Sequence, residues 1–166
     1  MFELWFNFAV VVFTQLLLFV AYAYYTKRLA EVLPVLGQGV IIGIVIGLLS
    51  DLIWGKFFGL WSYTLGFGVL SLTLTAAFVY GFFATNILLM RRVRLVHFFA
   101  WTMVMMSVYE ITNHFFRIWT YELPLPFFGL LMFLIVGYFG TAVFVAVMGH
   151  VFFRRRFFFI DNLFKK

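Results

Sequence analysis

The 166-residue chain is 66% apolar and 23% aromatic, with only 11% charged residues and a strongly positive mean hydropathy. A soluble domain of this length must leave much of its surface in water and cannot hide so much apolar area, which excludes that class. The absence of cysteine excludes disulfides, thiolate metal sites, iron–sulfur clusters and a cysteine nucleophile. The net charge of +6 would fit an anionic partner such as nucleic acid, but its placement reads as a membrane-topology signal instead, so no nucleic acid is expected.

Apolar runs of twenty or more residues recur, and a helix of about 20 residues crosses the roughly 30 Å hydrocarbon core. Backbone groups in lipid must be satisfied within the element, and the short alternating segments of a membrane β-barrel are absent, so helices are the expected spanning structures. Met1-Phe2-Glu3 lacks the basic region of a secretory signal peptide, so the first run, 4–26, is expected to be retained. It ends at Lys27-Arg28. A second span, 35–54, follows a short connection through Glu31 and Pro34. The third, 64–90, ends at Arg91-Arg92-Val93-Arg94. The fourth, 95–116, leads to the breaker Leu123-Pro124-Leu125-Pro126, and the fifth, 127–153, stops at Arg154-Arg155-Arg156.

Five alternating helices put Lys27, Arg28, Arg91, Arg92, Arg94, Arg154, Arg155, Arg156, Lys165 and Lys166 on one side and only Lys56 and Arg117 on the other. That bias predicts an N-terminus outside and a C-terminus in the cytoplasm of a multi-pass protein of the inner (cytoplasmic) membrane. Merging or dropping one span would scatter the charges over both faces. Trp5, Trp54, Trp61, Tyr63, Trp119 and Tyr121 gather at the outer edge and Tyr22, Tyr24, Tyr25 and Trp101 toward the inner one, as two headgroup belts. The whole chain, 1–166, reads as one transmembrane domain with an interfacial tail at 154–166, too short to span and rich in apolar residues bracketed by basic ones.

Phe57-Phe58-Gly59-Leu60-Trp61-Ser62-Tyr63 returns almost intact as Phe115-Phe116-Arg117-Ile118-Trp119-Thr120-Tyr121. Each copy follows an apolar run that ends in a carboxylate, Asp51 or Glu110, and each precedes another run. The two phrases read as the outer-surface connections of two related helix-loop-helix units, 35–90 and 95–153. The gap-free register sets Glu110 opposite Leu52, leaving Asp51 one position out. In the second span Gly39, Gly43 and Gly47 stand four apart on one face, a groove for close helix packing.

Polar side chains within spans are costly, which makes each a candidate for function or helix association. Gln15, beside Thr14 in the first span, is expected to bond between helices. The densest group is in the fourth span, where Glu110, Asn113 and His114 share a face that Arg117 continues. If the second and fourth helices are neighbours, Asp51, Glu110, His114 and Arg117 converge in the outer leaflet. Such a cluster reads as a polar cap, a proton donor or acceptor, or the start of a metal site, but no metal-ligand spacing motif accompanies it. No phosphate loop, nucleophile elbow, zinc-binding H-E-x-x-H or haem signature is present, so no cofactor and no metal are expected. The polar residues are too few for a hydrated pathway, and the interior suits an apolar or amphipathic guest.

A carboxylate at a helix end about ten residues before W-x-Y resembles the membrane lycopene cyclase domain family. The matching residues are Asp51 with Trp61 and Tyr63, and Glu110 with Trp119 and Tyr121. The resemblance implies tandem helical units and a reaction that protonates a terminal alkene of a linear carotene and closes a ring. It departs where the family carries a proline and paired glutamates after W-x-Y, for here stand Leu70-Ser71-Leu72-Thr73 and Pro124-Leu125-Pro126-Phe127. The leading expectation is a non-catalytic membrane protein that binds an isoprenoid-type lipid or pigment such as a carotenoid, with Trp61, Tyr63, Asn113, His114, Arg117, Trp119 and Tyr121 around the ligand. The same features fit a small subunit partnered by another membrane protein or a second copy. The alternatives are a cyclase-like isomerase with Glu110 or Asp51 as the acid, and a small substrate-binding subunit of a transporter.

Overall fold

The structure, a computed structural model, describes residues 2–64 and 68–163. Five of its helices are long and apolar enough to cross a membrane. The first, α1, runs Phe2–Tyr25 and the second, α2, Val32–Ser50, which continues as a π-helical segment, Asp51–Phe57. After the short strand β1, Trp61–Tyr63, the third crossing is assembled from α3, Val69–Leu74, a second π-helical segment, Thr75–Tyr80, and α4, Gly81–Leu89. Helix α5, Leu95–Phe116, leads to strand β2, Trp119–Tyr121, then to α6, Phe127–Phe153, and to a short α7, Phe158–Leu163. The 24 residues of α1 and 27 of α6 give lengths of about 36 and 40 Å, enough for the hydrocarbon core.

The third crossing is the centre of the bundle. Of its most apolar window 72% is buried, against 17% for that of Phe127–Phe153. Helix α2 lies against it along Gly39, Gly43 and Gly47. A methyl group at Gly39 would run into Thr85, one at Gly43 into the Gly81 backbone, and one at Gly47 into the Tyr80 ring and Ala76 at 2.8 and 2.9 Å. The glycine face is thus a packing seam, as small residues in membrane helices allow. Helices α1, α5 and α6 complete the bundle around α4.

The two ends of the bundle differ. At one, β1 and β2 pair antiparallel, with Trp61 opposite Tyr121, Ser62 opposite Thr120 and Tyr63 opposite Trp119. At the other, Glu31 meets Arg91 at 2.9 Å and Arg155 at 3.7 Å, Arg155 donates to Gln38 Oε1 at 2.8 Å, and Arg28 donates to the Leu89 carbonyl. The described members of the basic cluster therefore share the end opposite the strands; Lys165 and Lys166 lie outside the described residues.

Several expectations need correction. The second helix extends to Phe57, because the π-helical turns carry it past Trp54, and the third begins at Val69, because Thr64 still belongs to the strand connection through its N–H to the Ile118 carbonyl at 2.9 Å. The described part of the tail does not lie free beside the bundle. Phe157 is fully buried, Ile160 is 3% exposed, Phe159 packs on Phe98 with ring centroids 4.7 Å apart, and the Phe158 N–H donates to the Arg91 carbonyl. Its aromatic residues close the basic end from below. Gln15 is fully buried in α1, but neither of its polar atoms has a partner among the described residues, so the expected interhelical bond is not made.

Candidate functional site

The strand end carries two carboxylates, each held by aromatic hydroxyls from two elements. Asp51 opens the π-helical segment that extends α2 and is completely buried. Its Oδ1 accepts from the Tyr63 hydroxyl of β1 at 2.8 Å, the Tyr80 hydroxyl of the third crossing at 3.1 Å and, at 3.4 Å, the Trp61 indole N–H. Glu110, in the last two turns of α5, accepts on Oε1 from Tyr121 of β2 at 2.7 Å and Tyr138 of α6 at 2.8 Å. The Trp119 indole N–H donates to the Tyr121 hydroxyl at 3.1 Å, an outer link to the same carboxylate.

The spacing of these residues is parallel. Tyr63 and Tyr80 are 17 positions apart, as are Tyr121 and Tyr138, and 58 positions separate the members of each corresponding pair. Asp51 precedes Trp61 by ten residues while Glu110 precedes Trp119 by nine. The additional residue is taken up by the π-helical Asp51–Phe57 stretch, whose wider turns hold more residues than an α-helix. The one-position mismatch seen in the sequence thus leaves both carboxylates bonded in the same way to the tyrosine of the following W-x-Y.

The turn after α5 is built by Asn113. Its Oδ1 accepts the backbone N–H groups of Ile118 and Trp119, both at 2.9 Å, and its Nδ2 donates to the Trp119 carbonyl at 2.9 Å. Arg117 takes a left-handed conformation there, φ 48°, where the first phrase has Gly59 at φ 64°. The reversal throws Arg117 off the helix face that Glu110 and Asn113 occupy, and its side chain is exposed. His114 is also exposed, with its ring against Phe115. The expected convergence of Asp51, Glu110, His114 and Arg117 is therefore corrected: His114 and Arg117 stand outside, and Asn113 shapes the turn.

Between the two carboxylate clusters lies a cavity of about 670 Å³. About half of its lining is aromatic, with Trp54, Trp61 and Trp119, the tyrosines Tyr63, Tyr80, Tyr109, Tyr121 and Tyr138, and Phe83 and Phe133; Met132, Leu134, Val136, Gly137, Gly140 and Thr141 of α6 supply most of the rest. Trp61 and Trp119 thus face a cavity rather than standing only in a headgroup belt, and Trp119 is 8% exposed. Tyr109 gives its hydroxyl proton to the Val79 carbonyl at 2.8 Å. Burial, followed by charge repulsion from their neighbours, pushes the Tyr63 and Tyr121 phenols well above their ordinary value, so both remain proton donors to the carboxylates at neutral pH. Tyr80, Tyr109 and Tyr138 were not singled out in the sequence, although their equal spacing from W-x-Y was available as a signal for two of them. Among the described residues no group of three His, Asp or Glu side chains stands close enough to hold a metal ion.

Comparison with protein-family models, curated proteins and solved structures finds no match to this chain.

Proposed function

We propose that this is a multi-pass membrane protein that holds an apolar, isoprenoid-type lipid or pigment in the aromatic cavity at the strand end, without catalysing a reaction on its own. The strand end is outside and the basic end cytoplasmic, in the inner membrane, following the lysine and arginine bias. The units 35–90 and 95–153 are two copies of one helix-loop-helix, a reading supported by the paired W-x-Y strands and the matching tyrosine–carboxylate bonds. The single observation that carries the binding reading is the cavity itself: about 670 Å³, lined by ten aromatic side chains and bordered by α6. Rings supply large contact area at small entropic cost and tolerate flexible or conjugated chains. Gly137 lines it, and a Cβ there would meet no atom within 4 Å, so Gly137→Leu adds bulk beside the cavity with room for its first carbon. Lipids extracted from mild-detergent preparations and identified by mass spectrometry should include an isoprenoid-type species that Gly137→Leu loses at unchanged melting temperature. Equal lipid content in both proteins would remove the cavity reading.

A second reading is favoured by the carboxylates beside the cavity. An isomerase of the lycopene cyclase type would use Glu110 or Asp51 to protonate an alkene, with the tyrosines orienting the acid. The paired glutamates of the resembling family are missing from both units, which places this reading second. Expression in a lycopene-accumulating host decides it, since a cyclised carotene on chromatography promotes the enzyme and unchanged lycopene retires it.

A further inference from the structure

The charge balance of the cavity indicates what its ligand carries, an inference that rests on the binding reading above and sharpens it. Asp51 and Glu110 have only tyrosines and tryptophans around them, and no Lys, Arg or His among the described residues pairs with either. The described ion pairs, Glu31 with Arg91 and Arg155, lie at the basic end, as does the contact of Asp161 with His150. Asp51 is 0% exposed and its Oδ2 has no partner. The five cavity tyrosines donate their protons to the carboxylates or to the Val79 carbonyl, so their hydroxyls are engaged and their rings are what they add to the lining. Aromatic faces attract cations through their quadrupole, and the two carboxylates bonded to the lining tyrosines add to that attraction. Among the described residues no basic side chain lines the cavity to receive an anion.

We propose that the cavity selects lipophilic organic cations, in which a quaternary or otherwise delocalised positive centre sits among the rings and supplies the counter-charge that Asp51 and Glu110 lack. The hydrophobic part of such a ligand lies along the α6 side, against Met132 and Val136. A neutral isoprenoid fits the same space without drawing on the carboxylates.

Tetraphenylphosphonium and tetraphenylborate, ions of nearly the same size and shape and opposite charge, form the test. Their binding to the full chain in a neutral detergent is measured by calorimetry and tryptophan quenching, with protein-free micelles as the blank. The phosphonium should bind at least about tenfold more tightly than the borate, the scale set by a few cation–ring contacts. Asp51→Asn and Glu110→Gln should each lower phosphonium affinity about tenfold and leave the borate where it was. Equal affinity for the two ions, tighter binding of the borate, or a phosphonium preference unchanged in folded variants would overturn the proposal. Should either variant fail to fold, the comparison on the unaltered protein decides alone. Geranylgeraniol, a neutral isoprenoid alcohol, separates the two layers of the argument. If it binds and the phosphonium shows no preference, only the charge inference falls; if neither binds, the cavity reading falls with it.

Discussion

Gly43 offers the sharpest test of the packing seam between α2 and the third crossing. A methyl group there would sit inside contact distance of Gly81 N and Cα and 2.7 Å from the Tyr80 carbonyl carbon. Ordinary carbon–carbon contacts are about 3.5–4.0 Å, so the two helices must part by roughly 1 Å, which weakens dispersion contacts along the whole seam. Overpacking typically costs about 1–3 kcal/mol, and the obstacle is backbone rather than a movable side chain, which argues for the upper end. The alanine returns up to about 1 kcal/mol of helix propensity. The net expectation for Gly43→Ala is a loss of about 2 kcal/mol, or roughly 4–8 °C in melting temperature for a chain of this size. Gly37, in the same helix, has nothing within 4 Å of its Cβ position and serves as the internal control. Gly37→Ala should keep or raise the melting temperature. Melting is followed in detergent by intrinsic fluorescence and by circular dichroism. An unchanged Gly43→Ala protein, or a Gly37→Ala protein equally damaged, would refute the close approach of the helices.

Three further outcomes follow from the geometry. Asn113→Ala leaves the Ile118 and Trp119 N–H groups without their acceptor and should cost about 2–6 kcal/mol, at about 1–3 for each buried group, whereas Asn113→Asp keeps the acceptor and should cost less in the same melt. Arg117→Gly should stabilise by about 1 kcal/mol, because a side chain at φ 48° carries a strain that glycine does not, and should leave lipid retention unchanged since the arginine is exposed. Glu110→Gln, with two tyrosine donors to rearrange, should lower the melting temperature more than Glu122→Gln, whose exposed partner is the Ser62 hydroxyl at 2.8 Å; equal effects would remove the special place of Glu110.

Hydrophobic run length located all five crossings, because lipid forces each backbone into a helix of nearly fixed length. The boundaries slipped where run length is silent. The π-helical extension to Phe57 and the strand pairing of Trp61–Tyr63 with Trp119–Tyr121 depend on hydrogen bonds between segments far apart in the chain. In the site, Asp51, Glu110 and the two W-x-Y phrases stood out because a carboxylate near lipid and a recurring phrase are both improbable. Tyr80, Tyr109 and Tyr138 did not, since a tyrosine in an apolar run looks the same whether it faces lipid, core or cavity. His114 and Arg117 were misplaced for a definite reason. Helical-face arithmetic assumes the helix continues, and Asn113 ends it by drawing the Ile118 and Trp119 amides back toward itself.

The glycine seam and the candidate site are one construction. Gly47 lies where a methyl would strike the Tyr80 ring at 2.8 Å, and Tyr80 in turn donates to Asp51, which follows Gly47 by one helical turn on the same element. Close packing of α2 on the third crossing is therefore what brings a hydroxyl from one helix to a carboxylate on the other. The second half reaches the same bond without such a seam, because Tyr138 comes from α6, where a Cβ added at Gly137 or Gly140 would meet no atom within 4 Å. The Asp51 side is consequently tied to the glycine seam, whereas Tyr138 on the Glu110 side packs on Phe83 and Tyr109. Gly47→Ala should for that reason disturb the Asp51 cluster and lipid retention together, while Gly140→Ala, on the α6 side, should leave the fold intact and alter only what the cavity holds.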